Sequence, residues 1–132
     1  MVIDPSRTYV HLTAAGGAEL LEGGEAFWSR PEADLERHGH GWLVTEFAFT
    51  EDWADWEMHP MADELVYLLD GVADFLLERS ATHTDVLRLT GRGLVVVPKG
   101  VWHTAKVVQA PCRMVFVTMG AGTQHRARSG AA

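Results

Sequence analysis

The 132-residue sequence has little cysteine, little lysine and no long apolar run. A single cysteine, Cys112, excludes an internal disulfide, and its place in the run PCRMVFVTM predicts a small buried side chain. Two lysines and a formal net charge of −7 argue against a nucleic-acid partner, which needs a concentrated basic face. No stretch approaches the roughly 20 consecutive apolar residues of a membrane span, so we expect no membrane partner.

The remaining composition is that of an ordinary globular chain, with 47% hydrophobic and 22% charged residues. A chain of this length predicts one domain, covering residues 1–132. The amino terminus, MVIDPSRTYV, has no basic head followed by an apolar stretch. We therefore expect no secretory signal and a cytoplasmic protein.

Short apolar runs separated by turn residues fill the chain from Trp42 to Thr118. They predict about eight closely spaced strands, which is typical of an all-β sandwich or small barrel. Asp70–Gly71, between two apolar runs, predicts a hairpin turn. The first 40 residues are rich in glycine and alanine and predict an irregular N-terminal segment, with either a short helix around Ala18–Glu22 or a long loop.

Several polar side chains fall on strand faces that are otherwise apolar. Alternate residues of a strand point to opposite sides, so Glu57 and His59 in WEMH share one face. By the same alternation, Glu64 shares a face with apolar neighbours in ELVYLL, and His103 does so in VWHTAKV. A buried acid or imidazole needs a partner. The simplest interpretation is that these side chains partner one another around a metal ion.

The stretch EMHPMADELVYLLDG, residues 57–71, resembles the first motif of the cupin family. In that motif, two histidines two residues apart are followed by a glutamate and then a glycine. The interval from His59 to Glu64 and the six residues between Glu64 and Gly71 both fit it. The first histidine of the motif falls on Glu57, which is a departure from the family pattern.

The stretch GLVVVPKGVWH, residues 93–103, resembles the second cupin motif, which has a glycine, an apolar strand, Pro-x-Gly and a histidine. These positions are Gly93, Pro98, Gly100 and His103. The asparagine that often follows in the family falls on Val107. Taken together, the two motifs extend the resemblance over roughly residues 42–118, which is most of the chain.

The resemblance implies an antiparallel jelly-roll β-barrel with its core at about residues 42–118, a metal site inside it, and frequent homodimers. Carried over by position, the metal ligands are His59, Glu64 and His103, with Glu57 at the position of the fourth. Open strand edges also favour a dimer, because a partner can cover them.

Two ligand sets remain open. If Glu57 replaces a histidine ligand, two imidazoles and two carboxylates surround a divalent cation, which suits iron, manganese, zinc or nickel. If Glu57 or Glu64 stays away from the metal, two histidines and one carboxylate remain, with positions open for substrate. The alternative is a cupin that has lost its metal. In that case Glu57 and Glu64 would lie close together in an apolar interior, and at least one of their pKa values should rise. His59 and His103 would then hold the two acids as hydrogen-bonded ion pairs, either inert or active in metal-free acid–base chemistry.

Two functions from different classes fit this pattern. One is a metal-dependent enzyme acting on a small organic molecule by a dioxygenase, isomerase or lyase reaction, with Glu57 or Glu64 as the general base. The other is a non-catalytic module that binds or senses a small ligand, with or without metal. An apolar interior with no pocket arginine favours a neutral or aromatic molecule. The candidate pocket walls are Phe47, Phe49, Phe75, Met114 and Phe116.

One pair of histidines and three single histidines lie outside the two motifs. The stretch HGH, His38 to His40, mimics a metal-binding pair but lies in a glycine-rich stretch, and we interpret it as a polar loop. We expect His11, His83 and His125 to be surface or loop residues.

Overall fold

The computed structural model describes residues 1–128, and these consist mainly of antiparallel β-strands. No helix within this range is long and apolar enough to span a membrane. The elements in chain order are β1 (Thr8–Leu12), β2 (Ala18–Glu22), α1 (Glu25–Trp28), α2 (Glu32–His38), β3 (Trp42–Phe49), β4 (Asp55–Met58), β5 (Glu64–Ser80), β6 (His83–Leu89), β7 (Leu94–Val97), β8 (His103–Thr118) and β9 (Gln124–Ala127).

Two long antiparallel strands, β5 and β8, organise the fold because each contributes to two layers. The first part of β5 pairs with β7 and with the end of β8, whose other edge continues through β3 and β1 to β2. The second part of β5 pairs with β6 and with the start of β8, next to which β4 and β9 follow. The predicted antiparallel jelly roll is confirmed, although the sheet of the described residues does not close into a ring.

The predicted hairpin at Asp70–Gly71 is wrong, because these residues lie inside the continuous strand β5. Gly71 has a φ of 87°, and the register between β5 and β8 shifts on either side of it. A Cβ at Gly71 would lie 2.3 Å from the carbonyl oxygen of Pro111 on β8. Asp-Gly therefore bends the strand from one layer to the other and does not reverse the chain.

The apolar core lies between the two layers. Its fully buried side chains include Val66 and Leu68 before the bend of β5, Phe75 and Leu77 after it, and Met114 on β8. Cys112 is also fully buried there, with its thiol directed at the carbonyl oxygen of Val72. Polar groups that enter this region must be paired or must bind something, because the core contains little else to solvate them.

The N-terminal segment contains more regular structure than its composition suggests. Residues Ala18–Glu22, predicted as a helix or a loop, form β2 and pair with β1, with Tyr9 opposite Leu21. Helix-favouring alanine, leucine and glutamate are overridden by this pairing and by burial. Tyr9, Leu21, Phe27 and Leu43 form a second apolar cluster that fixes the hairpin and the short helices against β3.

Candidate metal centre

The four predicted ligands meet at one place between the layers. Glu57 on β4 lies directly opposite His103, the first residue of β8, in the antiparallel pairing of these strands. His59 follows β4 immediately, and Glu64 begins β5. Side chains from three separate parts of the sequence therefore face one another at the ends of three strands.

The distances among these side chains are similar. Nε2 of His103 lies 3.3 Å from Oε1 of Glu64 and 3.6 Å from Oε1 of Glu57. Nε2 of His59 lies 3.4 Å from Oε2 of Glu64 and 3.7 Å from Oε1 of Glu57. These separations exceed the roughly 2.7–3.2 Å of a good N–H···O hydrogen bond. Two nitrogens and two carboxylates thus surround a common centre without bonding tightly to each other.

Hydrogen bonds to the far side of each imidazole fix which nitrogen faces this centre. The hydroxyl of Thr123 donates to the carbonyl oxygen of Gly120 at 2.7 Å, so its oxygen accepts the Nδ1–H of His59, also at 2.7 Å. Nδ1–H of His103 donates to the carbonyl oxygen of Val101 at 3.1 Å. Both histidines therefore direct Nε2 at the carboxylates, which is the arrangement that orients metal-ligating histidines.

Unsatisfied buried atoms show that these residues fit a cation. Within residues 1–128, five buried side-chain nitrogen or oxygen atoms have no hydrogen-bond partner, and three belong to this cluster: Nε2 of His59, Nε2 of His103 and Oε1 of Glu64. Leaving such atoms unpaired costs roughly 1–3 kcal/mol each. A divalent ion would satisfy all three, and imidazole with carboxylate is a ligand set that such ions accept.

The two carboxylates have different surroundings. The side chain of Glu64 is only 4% exposed, and the hydroxyl of Thr118 donates to its Oε2. Glu57 is 27% exposed, and its Oε2 lies 3.1 Å from Nε2 of His125, an exposed side chain. Glu64 is therefore held in place through Oε2, while its Oε1 faces His103, and Glu57 has one oxygen connected through His125 to water.

The pKa values of Glu57, Glu64 and His103 are all shifted so that the charged form of each side chain is favoured. Burial opposes the charge of Glu64, but the two facing imidazoles outweigh burial and lower the pKa of Glu64 from 4.5 to about 2. Burial and the charge of Glu64 oppose ionisation of Glu57, yet the same imidazoles lower its pKa as well. Burial disfavours the imidazolium of His103, but the two carboxylates raise its pKa to about 9.

These directions contradict the increase in a carboxyl pKa that we expected for the protein without metal. That expectation gave burial and the repulsion between the acids more weight than the ion pairs with His59 and His103. Each carboxylate instead contacts both histidines, so the attraction of imidazolium exceeds the cost of burial and the repulsion between the acids.

A cavity of about 1030 Å³ opens onto the cluster. Of the predicted pocket walls, Phe47, Phe49 and Phe116 line it, as do Glu57, His59 and Glu64. Phe75 and Met114 do not line it and are fully buried in the core. Phe75 does not line the cavity because Trp53, which does, packs against it with ring centroids 5.5 Å apart.

Three contacting residues were not found from the sequence. Thr118 and Thr123 lie beyond both motifs, and a lone threonine has no local signature for contacting a histidine or glutamate. His125 is exposed, as predicted, but it also contacts Glu57. Because Thr123 and His125 are two residues apart, strand alternation could have placed them on one face.

Comparison with solved structures identifies the fold. A structure of oxalate oxidase matches with a TM-score of 0.54 at 17% identity, over 62% of this chain and 44% of that chain. The S161A mutant of Bacillus subtilis oxalate decarboxylase matches with a TM-score of 0.53 at 13% identity, over 65% of this chain and 23% of that chain. Both are cupins, so the described chain has the cupin fold.

A cupin-2 domain protein from Shewanella frigidimarina is also similar, with a TM-score of 0.49 and 17% identity, over 58% of this chain and 68% of that chain. No protein-family model matches the sequence, and no curated protein matches it. The matched region spans less than half of the oxalate oxidase and decarboxylase chains, and at these identities the likeness concerns the fold alone.

Proposed function

We propose that this protein is a metal-dependent cupin enzyme acting on a small organic molecule. The observation that carries the proposal is the convergence of three unsatisfied buried ligand atoms, on His59, Glu64 and His103, beside the cavity of about 1030 Å³. A purely structural polar cluster would satisfy its buried atoms internally. A cavity of this size accommodates a small organic ligand.

His59, His103 and Glu64 would hold the ion, with Glu57 either completing the set or remaining free. Iron, manganese, zinc and nickel all suit this set of nitrogen and oxygen ligands. Manganese is a specific candidate to test, because Bacillus subtilis oxalate decarboxylase has Mn(II) centres. When bound, such an ion supplies Lewis-acid or redox chemistry to an oxygen atom of the substrate.

The protein's own acid–base group in this proposal is Glu57. Its side chain reaches the cavity and is partly exposed, and its lowered pKa keeps it ionised at neutral pH. A proton accepted by Glu57 can pass to His125, which lies 3.1 Å away and is open to solvent. Glu64 is a poorer base, because Thr118 and the two histidines occupy its surroundings.

The cavity walls select the substrate class. Phe47, Phe49, Trp53 and Phe116 give one side of the cavity an aromatic surface, and their rings pack in contact with one another. Such walls favour a neutral or aromatic part of a substrate. The oxygen atoms of that substrate would then be directed at the polar side, where Glu57, His59 and Glu64 lie.

Elemental mass spectrometry of the purified protein tests the metal assignment. We expect close to one transition-metal ion per chain at this centre, lost in His103→Ala and retained in the control His83→Ala, which changes an exposed histidine on β6. Wild-type protein that binds none of the four metals, even after reconstitution, would contradict the proposal. Metal retained in Glu57→Gln would show that Glu57 is not a required ligand and would leave it as the candidate general base.

Oxygen consumption by the iron-loaded protein, with a panel of diketones and catechols, tests the dioxygenase branch. We expect turnover that Glu57→Gln reduces while metal content is unchanged, if Glu57 is the base. Binding of a panel member without any turnover, in the loaded wild type, would favour the non-catalytic binding module.

A further inference from the structure

A second cluster of ligating side chains lies on the N-terminal hairpin, outside both cupin motifs. His11 on β1 stands directly opposite Glu19 on β2, and His38, the last residue of α2, packs over them. Nδ1 of His11 lies 3.1 Å from Oε1 of Glu19, and Nε2 of His38 lies 3.4 Å from the same oxygen. The three ligand atoms lie within 4.8 Å of one another.

The structure corrects the sequence interpretation of both histidines. His11 was expected at the surface or in a loop, and His38 in a polar loop. His11 is 5% exposed and His38 is 1% exposed. Pairing of β1 with β2 and packing of α2 bring them inside, which no local pattern in the sequence encodes.

Backbone carbonyls fix the orientation of both imidazoles. Nε2–H of His11 donates to the carbonyl oxygen of His40, and Nδ1–H of His38 donates to the carbonyl oxygen of Asp34 at 2.8 Å. The remaining nitrogens, Nδ1 of His11 and Nε2 of His38, are therefore available as lone-pair donors and face Glu19. A hydrogen bond of this kind on the far nitrogen is typical of metal-ligating histidines.

The nitrogen of His38 that faces Glu19 provides an independent observation. Its Nε2 is fully buried and, among residues 1–128, has no hydrogen-bond partner. A buried imidazole nitrogen without a partner is costly, and a well-packed hairpin offers no evident reason for one. A cation bound between His11, Glu19 and His38 would satisfy this atom.

We propose that His11, Glu19 and His38 form a second metal site, for Zn²⁺ or a similar divalent transition metal. Ligand atoms about 2.0–2.1 Å from a tetrahedral zinc ion lie roughly 3.3 Å from each other, and the two distances to Glu19 are 3.1 and 3.4 Å. The side chain of Glu19 is 40% exposed, which leaves the fourth position accessible to water. The ion would connect β1, β2 and α2, and the proposal does not depend on the cupin centre.

The competing explanation is a simple ion pair, in which a protonated His11 bridges Glu19 and the carbonyl of His40 and no metal binds. The two explanations differ in stoichiometry. The ion pair predicts that substitutions at Glu19 or His38 leave zinc binding unchanged. A metal site predicts the loss of one equivalent in each variant.

Zinc binding to the full-length chain tests the proposal, by equilibrium dialysis with elemental analysis and by thermal unfolding with and without Zn²⁺. Glu19→Gln is the main variant, because its half-exposed side chain can change to an isosteric amide without disturbing the core. His38→Gln is the second variant. The matched control is His40→Ala, which removes an exposed imidazole from the same loop while the backbone carbonyl that His11 uses remains.

We expect Glu19→Gln and His38→Gln each to bind one equivalent less than wild type, or to bind that equivalent at least tenfold more weakly, and His40→Ala to match wild type. Zinc should raise the unfolding temperature of the double variant His59→Ala/His103→Ala, which retains only this site. Unchanged zinc stoichiometry and affinity in folded Glu19→Gln would overturn the proposal. If wild type binds one equivalent of zinc and Glu19→Gln binds none, the site at His11, Glu19 and His38 is supported and zinc binding at the cupin centre is contradicted.

Discussion

Thr123 holds the imidazole of His59 with Nε2 directed at Glu64, through a hydrogen bond of 2.7 Å between residues 64 positions apart. The same hydroxyl donates to the carbonyl oxygen of Gly120, so it accepts from His59 and fixes Nδ1 as the protonated nitrogen. The loop that carries Thr123 is itself attached to the α2–β3 connection, where the amide of Ala121 donates to the carbonyl of Gly39 at 3.1 Å.

We therefore predict that Thr123→Val weakens metal binding at the cupin centre by about 10- to 100-fold, because His59 loses the partner that orients it. Competition titrations with a chromophoric chelator measure this change. The control is Thr84→Val on β6, an exposed threonine replaced by an equally strand-compatible residue. An affinity in Thr123→Val equal to wild type would show that the hydroxyl plays no part in orienting His59.

The candidate centre could be predicted from the sequence where chemistry and strand alternation coincide. Glu57 and His59 are two residues apart at the end of β4, and Glu64 and His103 stand at fixed intervals in two motifs, so their meeting follows once the chain folds as a jelly roll. Thr123 could not be placed in this way. Its contact with His59 depends on how the segment after β8 returns along β4, and a threonine is compatible with almost any surface.

The misassigned elements show the same limit. Asp-Gly is compatible with a hairpin turn and with a bend in a continuous strand, and the choice depends on β8, whose Pro111 lies against Gly71. The alanine, leucine and glutamate of β2 favour a helix in isolation, and pairing with β1 overrides that preference. The cluster of His11, Glu19 and His38 arises only from this pairing, so the sequence alone could not reveal it.

The pKa values predict how the stability of the metal-free protein depends on pH. Glu64 has its pKa lowered from 4.5 to about 2, so its contribution is present above pH 4.5 and is lost as the pH falls through 2. His103 has its pKa raised from 6.5 to about 9, so its contribution is present below pH 6.5 and is lost as the pH rises through 9. The stabilising contributions of Glu64 and His103 are both fully present only between pH 4.5 and 6.5.

In chelator-treated protein we therefore expect a higher free energy of unfolding at about pH 5.5 than at pH 9.5 or pH 3, by on the order of 3 kcal/mol on the alkaline side and about 2 kcal/mol on the acid side. Urea unfolding across this range measures the profile. Glu64→Gln should flatten the acid side. A profile that rises steadily from pH 5.5 to pH 9.5 would contradict the pairing of His103 with the carboxylates.

The bend of β5 at Gly71 predicts a large effect of adding a single methyl group. Gly71→Ala combines a left-handed φ of 87° with a Cβ 2.3 Å from the carbonyl oxygen of Pro111, and backbone atoms cannot move aside easily. We expect a loss of about 2–4 kcal/mol in the free energy of unfolding. Gly16→Ala is the control, because its φ is 96° and its Cβ would meet nothing within 4 Å.

Urea unfolding of both variants separates backbone strain from steric overlap. Gly16→Ala should lose only about 1–2 kcal/mol, which is the cost of the left-handed conformation. Equal losses in the two variants would mean that β8 moves away from residue 71 at little cost, so that the close approach of the two strands is not what fixes the bend.

The expected homodimer remains a prediction, and the outer face of β5 and β7 is the surface we propose for it. Leu65 lies opposite Val96 in this pairing, and Leu65, Leu94 and Val96 are 39%, 56% and 50% exposed. Adjacent exposed aliphatic side chains on a sheet favour association. Leu94→Asp/Val96→Asp should convert a dimer into a monomer in sedimentation velocity, whereas Val108→Asp, at an equally exposed valine on β8, should leave it unchanged. A wild-type chain that sediments as a monomer at micromolar concentration would exclude this surface as a dimer interface.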